Sequence, residues 1–178
     1  GTSNQNFNNG DTDKEHGNKI TFPMKARIWG AFVRADFNDA DFALHFYNAS
    51  GTPQDTSANR LATSGTLDGF HYSSATAGYI IPFTSRATVD AGSVYRLCIE
   101  SKSGTDVSIQ YQAEGVSGLL VANWADNLIH TEEDGASGWT DSSGEALFLV
   151  PLIDGLDDGA GGGGGGGNPQ LVDGGLVA

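Results

Sequence analysis

The sequence predicts an all-β fold, specifically a two-sheet β-sandwich of jelly-roll type. Three runs alternate between apolar and polar residues, at 41–47, 93–100 and 106–112, and a period of two is the pattern of a strand with one buried face. Glycine is abundant at 26 of 178 residues, and charged residues make up only 17%, below the roughly 25% of ordinary domains. This composition favours short strands joined by many turns.

The chain divides into three parts. Residues 1–17 are polar and rich in Asn and Gly, which predicts an extended N-terminal arm; residues 18–154 form the sandwich; residues 155–178 form a glycine-rich tail. About eight strands are expected in the sandwich, and their approximate ranges are 19–22, 25–34, 41–47, 67–72, 79–84, 93–100, 106–112 and 145–153. Residues 54–64 and 131–144 read as polar loops, and residues 119–128 could form one or two helical turns.

Several local features refine these strands. In the run 41–47, Phe42, Leu44 and Phe46 point to one face, and His45 is expected to face solvent. Cys98 falls within an alternating run, which predicts a buried small hydrophobe rather than a nucleophile. Pro82 suggests an edge strand or a strand end. Residues 101–105 read as a hairpin loop, and the apolar run 145–153 reads as a strand buried on both faces.

Charge is distributed unevenly. The nine Lys and Arg residues all lie at or before Lys102, where they accompany ten acids, whereas twelve acids and no base follow it. The formal net charge is −13, and such a surface repels phosphate backbones, which argues against nucleic acid as a partner. Either solubility or a cationic partner explains the acidity. No run approaches 18 apolar residues, so no membrane insertion is expected.

Sequence patterns of catalysis are missing. Neither a G-x-S-x-G elbow nor an H-E-x-x-H or Cys/His cluster occurs, and the four histidines, at positions 16, 45, 71 and 130, are scattered singly. A non-enzymatic protein without a cofactor is therefore expected. Calcium is the one candidate ion, because acidic residues cluster in loop-like segments. Its candidate ligands are Asp11, Asp13, Asp154, Asp157 and Asp158, although Asp is also an ordinary turn residue.

Aromatic residues could form a platform for a glycan, because flat rings stack on sugars through apolar faces. Trp139 lies in a polar segment beside Asp141, and Tyr72 follows Phe70 and His71. Trp139, Asp141 and Tyr72 are therefore the candidate glycan contacts. Trp29 and Trp124 fall in apolar runs, which predicts that they belong to the core.

The tail contains seven consecutive glycines, Gly161 to Gly167. Such a run is ordinarily a flexible linker, and ordering it costs about 1–2 kcal/mol of backbone entropy per residue. Two apolar pairs follow the run, Leu171–Val172 and Leu176–Val177. We expect this tail to assemble with a neighbouring subunit that accepts the apolar pairs.

Several stretches together resemble a known group of proteins. They are residues 28–33 (IWGAFV), 41–47 (DFALHFY), 89–97 (VDAGSVYRL) and 152–159 (LIDGLDDG) followed by glycines. Over residues 18–178 the chain resembles uncharacterised structural proteins of tailed bacteriophages. In that group a jelly-roll domain, itself similar to carbohydrate-binding modules, ends in an IDG-x-DDG and glycine-rich tail.

The resemblance implies a non-enzymatic virion protein, such as a capsid decoration, head fibre or tail appendage. Its implied partners are other virion proteins and further copies of itself, for example in a trimer, with the virion surface as its location. The alternative is a carbohydrate-binding module that recognises host surface glycans. A glycosidase or depolymerase is a third possibility, for which no pair of carboxylates stands out.

Overall fold

The computed structural model describes residues 2–8, 10, 14–49, 59–72, 75–113, 128–133, 138–142 and 145–157. These residues form twelve strands in two six-stranded antiparallel sheets that pack against each other, which confirms the predicted two-sheet β-sandwich. The one helical element in the described ranges is a single 3₁₀ turn, Gly69–His71. Among those residues no helix is long and apolar enough to span a bilayer.

Sheet A follows the order β1-β8-β3-β12, with β6 paired to β3 and β11 paired to β8. Its strands are β1 (Thr2–Phe7), β3 (Lys25–Asp36), β6 (Ala77–Val89), β8 (Val107–Ala113), β11 (Glu145–Leu147) and β12 (Leu149–Asp157). Sheet B follows the order β10-β9-β2-β7-β4-β5. Its strands are β2 (Glu15–Thr21), β4 (Phe42–Asn48), β5 (Arg60–Leu67), β7 (Val94–Ser101), β9 (Leu128–Glu133) and β10 (Trp139–Ser142).

The core lies between the two sheets and is rich in aromatic and branched side chains. Phe42, Leu44 and Phe46 of β4 all face it, as the alternation predicted, and each is fully buried. The rings of Phe37 and Phe42 stack with their centroids 3.7 Å apart. Burial of large apolar side chains of this kind contributes about 1.5–3 kcal/mol each, so this layer supplies the main driving force for folding.

The predicted N-terminal arm contributes two strands to the sheets instead. Strand β1 pairs along its whole length with β8, and Phe7 at its end is 1% exposed. Strand β2 begins at Glu15 and lies in the interior of sheet B, between β7 and β9. Phe7 is the one large apolar residue before β2 begins, which is why the sequence pattern predicts a polar arm here.

Several other boundaries differ from the prediction. Residues 60–64 lie in β5 and residues 131–133 and 139–142 lie in β9 and β10, where polar loops were expected. Residues 69–71 form a 3₁₀ turn rather than a strand. Residues 101–105 are not a hairpin loop, since β7 belongs to sheet B and β8 to sheet A. The expected helical turns at 119–127 lie outside the described residues.

The apolar run 145–153 is also not one strand buried on both faces. It is interrupted at Phe148, and only Ala146, Leu147 and Leu149 within it are buried. Strand β12 then continues through Asp157, so the predicted tail begins inside a strand. Pro82 lies within β6, which pairs only with β3 among the described strands, in agreement with the predicted edge position.

One side chain of sheet B crosses the core and binds the backbone of sheet A at this interruption. The Asn18 side-chain amide donates hydrogen bonds to the carbonyls of Leu147 (2.9 Å) and Leu149 (2.8 Å). Its oxygen accepts a third bond, 2.9 Å long, from the backbone N–H of Leu147. Asn18 is fully buried, so these three bonds tie β2 to β11 and β12 inside the sandwich.

Candidate functional site

Strand β2 carries titratable side chains to both faces of sheet B. Because side chains alternate along a strand, His16, Asn18 and Ile20 face the core, whereas Glu15 and Lys19 face the other side. Glu15 pairs with Glu100 of β7, and His16 pairs with Glu132 of β9. Two polar clusters result, one on each face.

The outer cluster consists of Glu15, His45 and Glu100, with Tyr47 and Lys102 beside them. His45 Nε2 lies 2.8 Å from Glu100 Oε2, and the Lys102 ammonium donates to that same oxygen at 2.5 Å. The Tyr47 hydroxyl donates to Glu15 Oε1 at 2.9 Å. His45 was expected to face solvent but is 2% exposed, because this face of sheet B is buried as well as the core face.

The two carboxyls of the outer cluster have opposite protonation behaviour. Burial first, and then the neighbouring Glu100 charge, raise the pKa of Glu15 to about 8. Burial also opposes ionisation of Glu100, but hydrogen bonds from His45 and Lys102 outweigh it and lower its pKa to about 2. Burial lowers the pKa of His45, and its contact with Glu100 offsets this in part. At neutral pH the cluster therefore holds a protonated Glu15 beside an ionised Glu100.

The inner cluster consists of His16, His130 and Glu132, with Glu145 adjacent. His16 Nδ1 lies 3.3 Å from His130 Nε2 and 3.6 Å from Glu132 Oε2. His130 Nε2 lies 3.9 Å from the same Glu132 oxygen. The other ring nitrogen of His130, Nδ1, lies 3.8 Å from Glu145 Oε2. Three potential ligand atoms thus lie within 4.8 Å of one another, close enough for one metal ion to contact all three.

The inner cluster is enclosed by the sandwich. The side chains of His16 and His130 are 0% and 4% exposed, and that of Glu132 is 27% exposed. The His16 ring also packs on Phe7 of β1, with centroids 4.4 Å apart. Burial lowers the pKa of His130, and Glu145 opposes that shift. The His130 imidazole therefore favours the neutral form, in which a ring nitrogen can act as a metal ligand.

Two of the predicted glycan contacts lie together on β10 but are engaged within the protein. Asp141 accepts a 2.7 Å hydrogen bond from Lys19 and lies 3.2 Å from the Arg96 guanidinium. Arg96 lies over the Trp139 ring, 5.1 Å from its centroid, and also donates to the Ala49 carbonyl. Trp139 belongs to a strand and is half-buried, where an exposed polar loop was expected.

The third predicted contact, Tyr72, packs into a different aromatic group. Its ring lies 4.9 Å from Phe42 and 5.2 Å from Phe37, centroid to centroid. The residues just before it are the exposed ones, because Phe70 is 75% exposed and the His71 side chain 74% exposed. Trp29, expected in the core, is half-buried on β3.

The calcium candidates fall in two places. Asp154 and Asp157 lie on strand β12 rather than in the expected loop. Asp11, Asp13 and Asp158 lie outside the described residues. The tail residues Gly161, Gly167, Leu171, Val172, Leu176 and Val177 lie outside them too, as does Trp124.

Sequence inspection missed both clusters because their members are far apart in the chain. His16 and His130 are separated by 114 positions, and His45 and Glu100 by 55. One local signal was present, since His130 and Glu132 are two residues apart. That spacing places both side chains on one face once the segment is a strand, but the sequence predicts a polar loop from residue 131 onward.

Comparisons with protein-family models, with curated proteins and with solved structures find no match to this chain.

Proposed function

We propose that the chain is a non-enzymatic structural protein of a tailed-phage virion, displayed at the particle surface as a homo-oligomer in contact with other virion proteins. The sequence resemblance supports the virion role, and an apolar stripe across the outer face of sheet A supports the self-association. Ile80 of β6 pairs with Phe32 of β3, which pairs with Val150 of β12. Ile80 is 62% exposed, and Pro82 and Leu152 extend the stripe in the next row.

An exposed apolar patch is a mark of an association surface. This chain carries a net charge of −13, so copies of it repel one another. They associate only where burial of an uncharged, apolar surface outweighs that repulsion. The apolar stripe offers such a surface on a rigid sheet. We therefore propose that a second copy of the chain covers it.

The location of the titratable groups also supports a structural role. Glu15, His45 and Glu100 are 0%, 2% and 6% exposed, so a substrate would reach them only if the residues that cover this face of sheet B moved. The Glu15 and Glu100 pair has the divided pKa values that acid–base catalysts use, yet each carboxylate already accepts hydrogen bonds from side chains of the fold. We interpret the outer cluster as a set of buried contacts that stabilise the packing of β2, β4 and β7.

The proposal is tested by the mass of the chain in solution, measured by light scattering after size-exclusion chromatography. Ile80→Asp should shift the assembly toward the monomer, because it places a charge in the stripe. Thr88→Asp is the matched control, an exposed position on the same strand and face, and should keep the wild-type mass. A monomeric wild-type chain, or an unchanged mass for Ile80→Asp, would contradict this role for the stripe.

The tail is tested separately. We expect deletion of residues 160–178 to abolish oligomerisation or incorporation into particles if the apolar pairs Leu171–Val172 and Leu176–Val177 anchor the subunit. Assembly that survives the deletion but not Ile80→Asp would assign the contact to the stripe alone.

The alternative is a carbohydrate-binding module, favoured by the exposed 3₁₀ turn. Phe70 exposes its ring, and the Asp68 carboxylate and the His71 imidazole lie near it in the sequence. His71 Nε2 is 3.9 Å from Asp68 Oδ2. A ring flanked by polar groups is suited to stacking on a sugar. A glycan array with the wild-type chain and with Phe70→Ala tests this alternative, and Trp139→Ala examines the site first predicted. Binding lost only in Phe70→Ala would favour the module.

A further inference from the structure

The inner cluster has the dimensions of a transition-metal site. In a tetrahedral zinc centre the ligand atoms lie about 2.0–2.2 Å from the metal, so neighbouring ligand atoms are roughly 3.3–3.6 Å apart. The three separations among His16 Nδ1, His130 Nε2 and Glu132 Oε2 are 3.3, 3.6 and 3.9 Å. A small inward movement of one carboxylate oxygen brings all three into that range.

We propose that His16, His130 and Glu132 bind a divalent transition-metal ion, zinc fitting best, at a site that joins β2 to β9. Two imidazole nitrogens favour zinc and its neighbours over calcium or magnesium, which prefer all-oxygen ligands. Water takes the fourth position, which is consistent with the partial exposure of Glu132.

The surroundings of the triad support this assignment. Metal-bound histidines ordinarily present their second ring nitrogen to a carboxylate, which orients the ring and raises its basicity. Glu145 of β11 is the carboxylate beside that nitrogen, with Oε2 3.8 Å from His130 Nδ1, a distance longer than a direct hydrogen bond. Phe7 packs on the His16 ring, so one side of the site is apolar and its ligands lie on paired strands. A metal here would join β2 and β9 of sheet B and, through Glu145, β11 of sheet A.

The outer cluster provides an internal contrast. Its His45 and Glu100 atoms are only 2.8 Å apart, and Lys102 already supplies a positive charge to the same oxygen. Those are the distances of direct hydrogen bonds, too short for two ligands of one ion. The outer cluster is therefore held together by hydrogen bonds and a lysine. In the inner cluster only the two imidazole nitrogens lie within hydrogen-bond reach of each other, and both separations from Glu132 Oε2 exceed that reach.

The test uses the full, tag-free chain, freed of metal with a chelator and then titrated with Zn²⁺ by calorimetry. The expected result is one zinc per chain, with a rise in melting temperature that the chelator reverses. Substitution with Co²⁺ should give the strong visible absorption of four-coordinate cobalt. Wild-type protein that takes up no stoichiometric zinc would overturn the proposal.

The variants assign the ligands. Glu132→Gln and His130→Gln should abolish one-to-one binding, and Glu145→Gln should weaken it about tenfold, as second-layer partners do. His71→Gln, at an exposed histidine, is the control and should bind as the wild type does. If either ligand variant fails to fold, Glu132→Asp gives a second measurement, since it keeps the charge and should shift the Co²⁺ spectrum. Loss of binding in His71→Gln, or full binding with an unshifted spectrum in Glu132→Asp and Glu132→Gln, would overturn the assignment.

Discussion

Replacing Asn18 by leucine should cause a large loss of stability, because leucine has a similar volume but forms none of the three hydrogen bonds that cross the core. Each of these bonds contributes about 1 kcal/mol net, and each backbone group left buried without a partner costs about 1–3 kcal/mol. The variant leaves two carbonyls and one N–H of β11 and β12 in that state. We therefore expect the free energy of unfolding to fall by about 3–5 kcal/mol, a large part of the 5–15 kcal/mol typical of a domain.

The measurement is equilibrium unfolding in urea, followed through the fluorescence of the three tryptophans. Asn6→Leu is the matched control, since the exposed Asn6 side chain accepts one bond from Ser108, and it should stay within about 0.5 kcal/mol of the wild type. An Asn18→Leu loss of less than about 1 kcal/mol would refute the reasoning, because it would mean that the backbone groups find other partners at no cost.

Three further predictions concern β2 and its neighbour β7. The pKa of Glu15 is raised from 4.5 to about 8, so the folded state holds this proton more tightly than the unfolded state, and stability is lost as pH rises through that interval. At about 1.4 kcal/mol per pKa unit, the loss has an upper bound of roughly 5 kcal/mol. Glu15→Gln should remove this pH dependence. The check is urea unfolding of the wild type and the variant at pH 5 and pH 8 with chelator present, and an equal change in both proteins would contradict the prediction. Gly17→Ala should destabilise the fold by about 3 kcal/mol, since its Cβ would lie 2.0 Å from the Leu97 carbonyl oxygen. Gly104→Ala is the control and should be neutral, because nothing lies within 4 Å of its Cβ position. Equal urea midpoints for the two variants would count against the clash. Cys98 is fully buried and its thiol pKa is raised by burial, so a thiol reagent should modify it only after denaturation; rapid reaction of native protein would show that β7 opens readily.

Apolar alternation was enough to predict the sandwich, because β4, β7 and β8 each place regular apolar side chains in the core. The same rule missed β1, β5, β9, β10 and the first half of β2, which are short of apolar residues. Strand β2 is buried nevertheless, since Glu15 pairs with Tyr47, Asn18 pairs with backbone groups, and His16 lies against His130. A periodicity argument treats such residues as solvent-facing, and only the three-dimensional pairing shows how they are accommodated.

The clusters could not be predicted for a related reason. Each joins residues from separate strands, and the sandwich topology alone decides which strands become neighbours. The alternation in 41–47 correctly placed His45 opposite Phe42, Leu44 and Phe46, but it could not show that this second face is buried too. Whether a strand has one buried face or two depends on what packs over the sheet.

Strand β2 has a consequence for how the chain reaches its native state. It lies near the N-terminus, yet its partners β7 and β9 lie roughly eighty and more than a hundred residues later in the chain, so its pairing is non-local and slow to form. A central strand that waits unpaired is ordinarily a hazard, because an exposed apolar segment invites other chains to add to it. The sequence of β2, EHGNKIT, contains a single large apolar residue. The buried polar side chains thus let a central strand remain soluble until its partners are made.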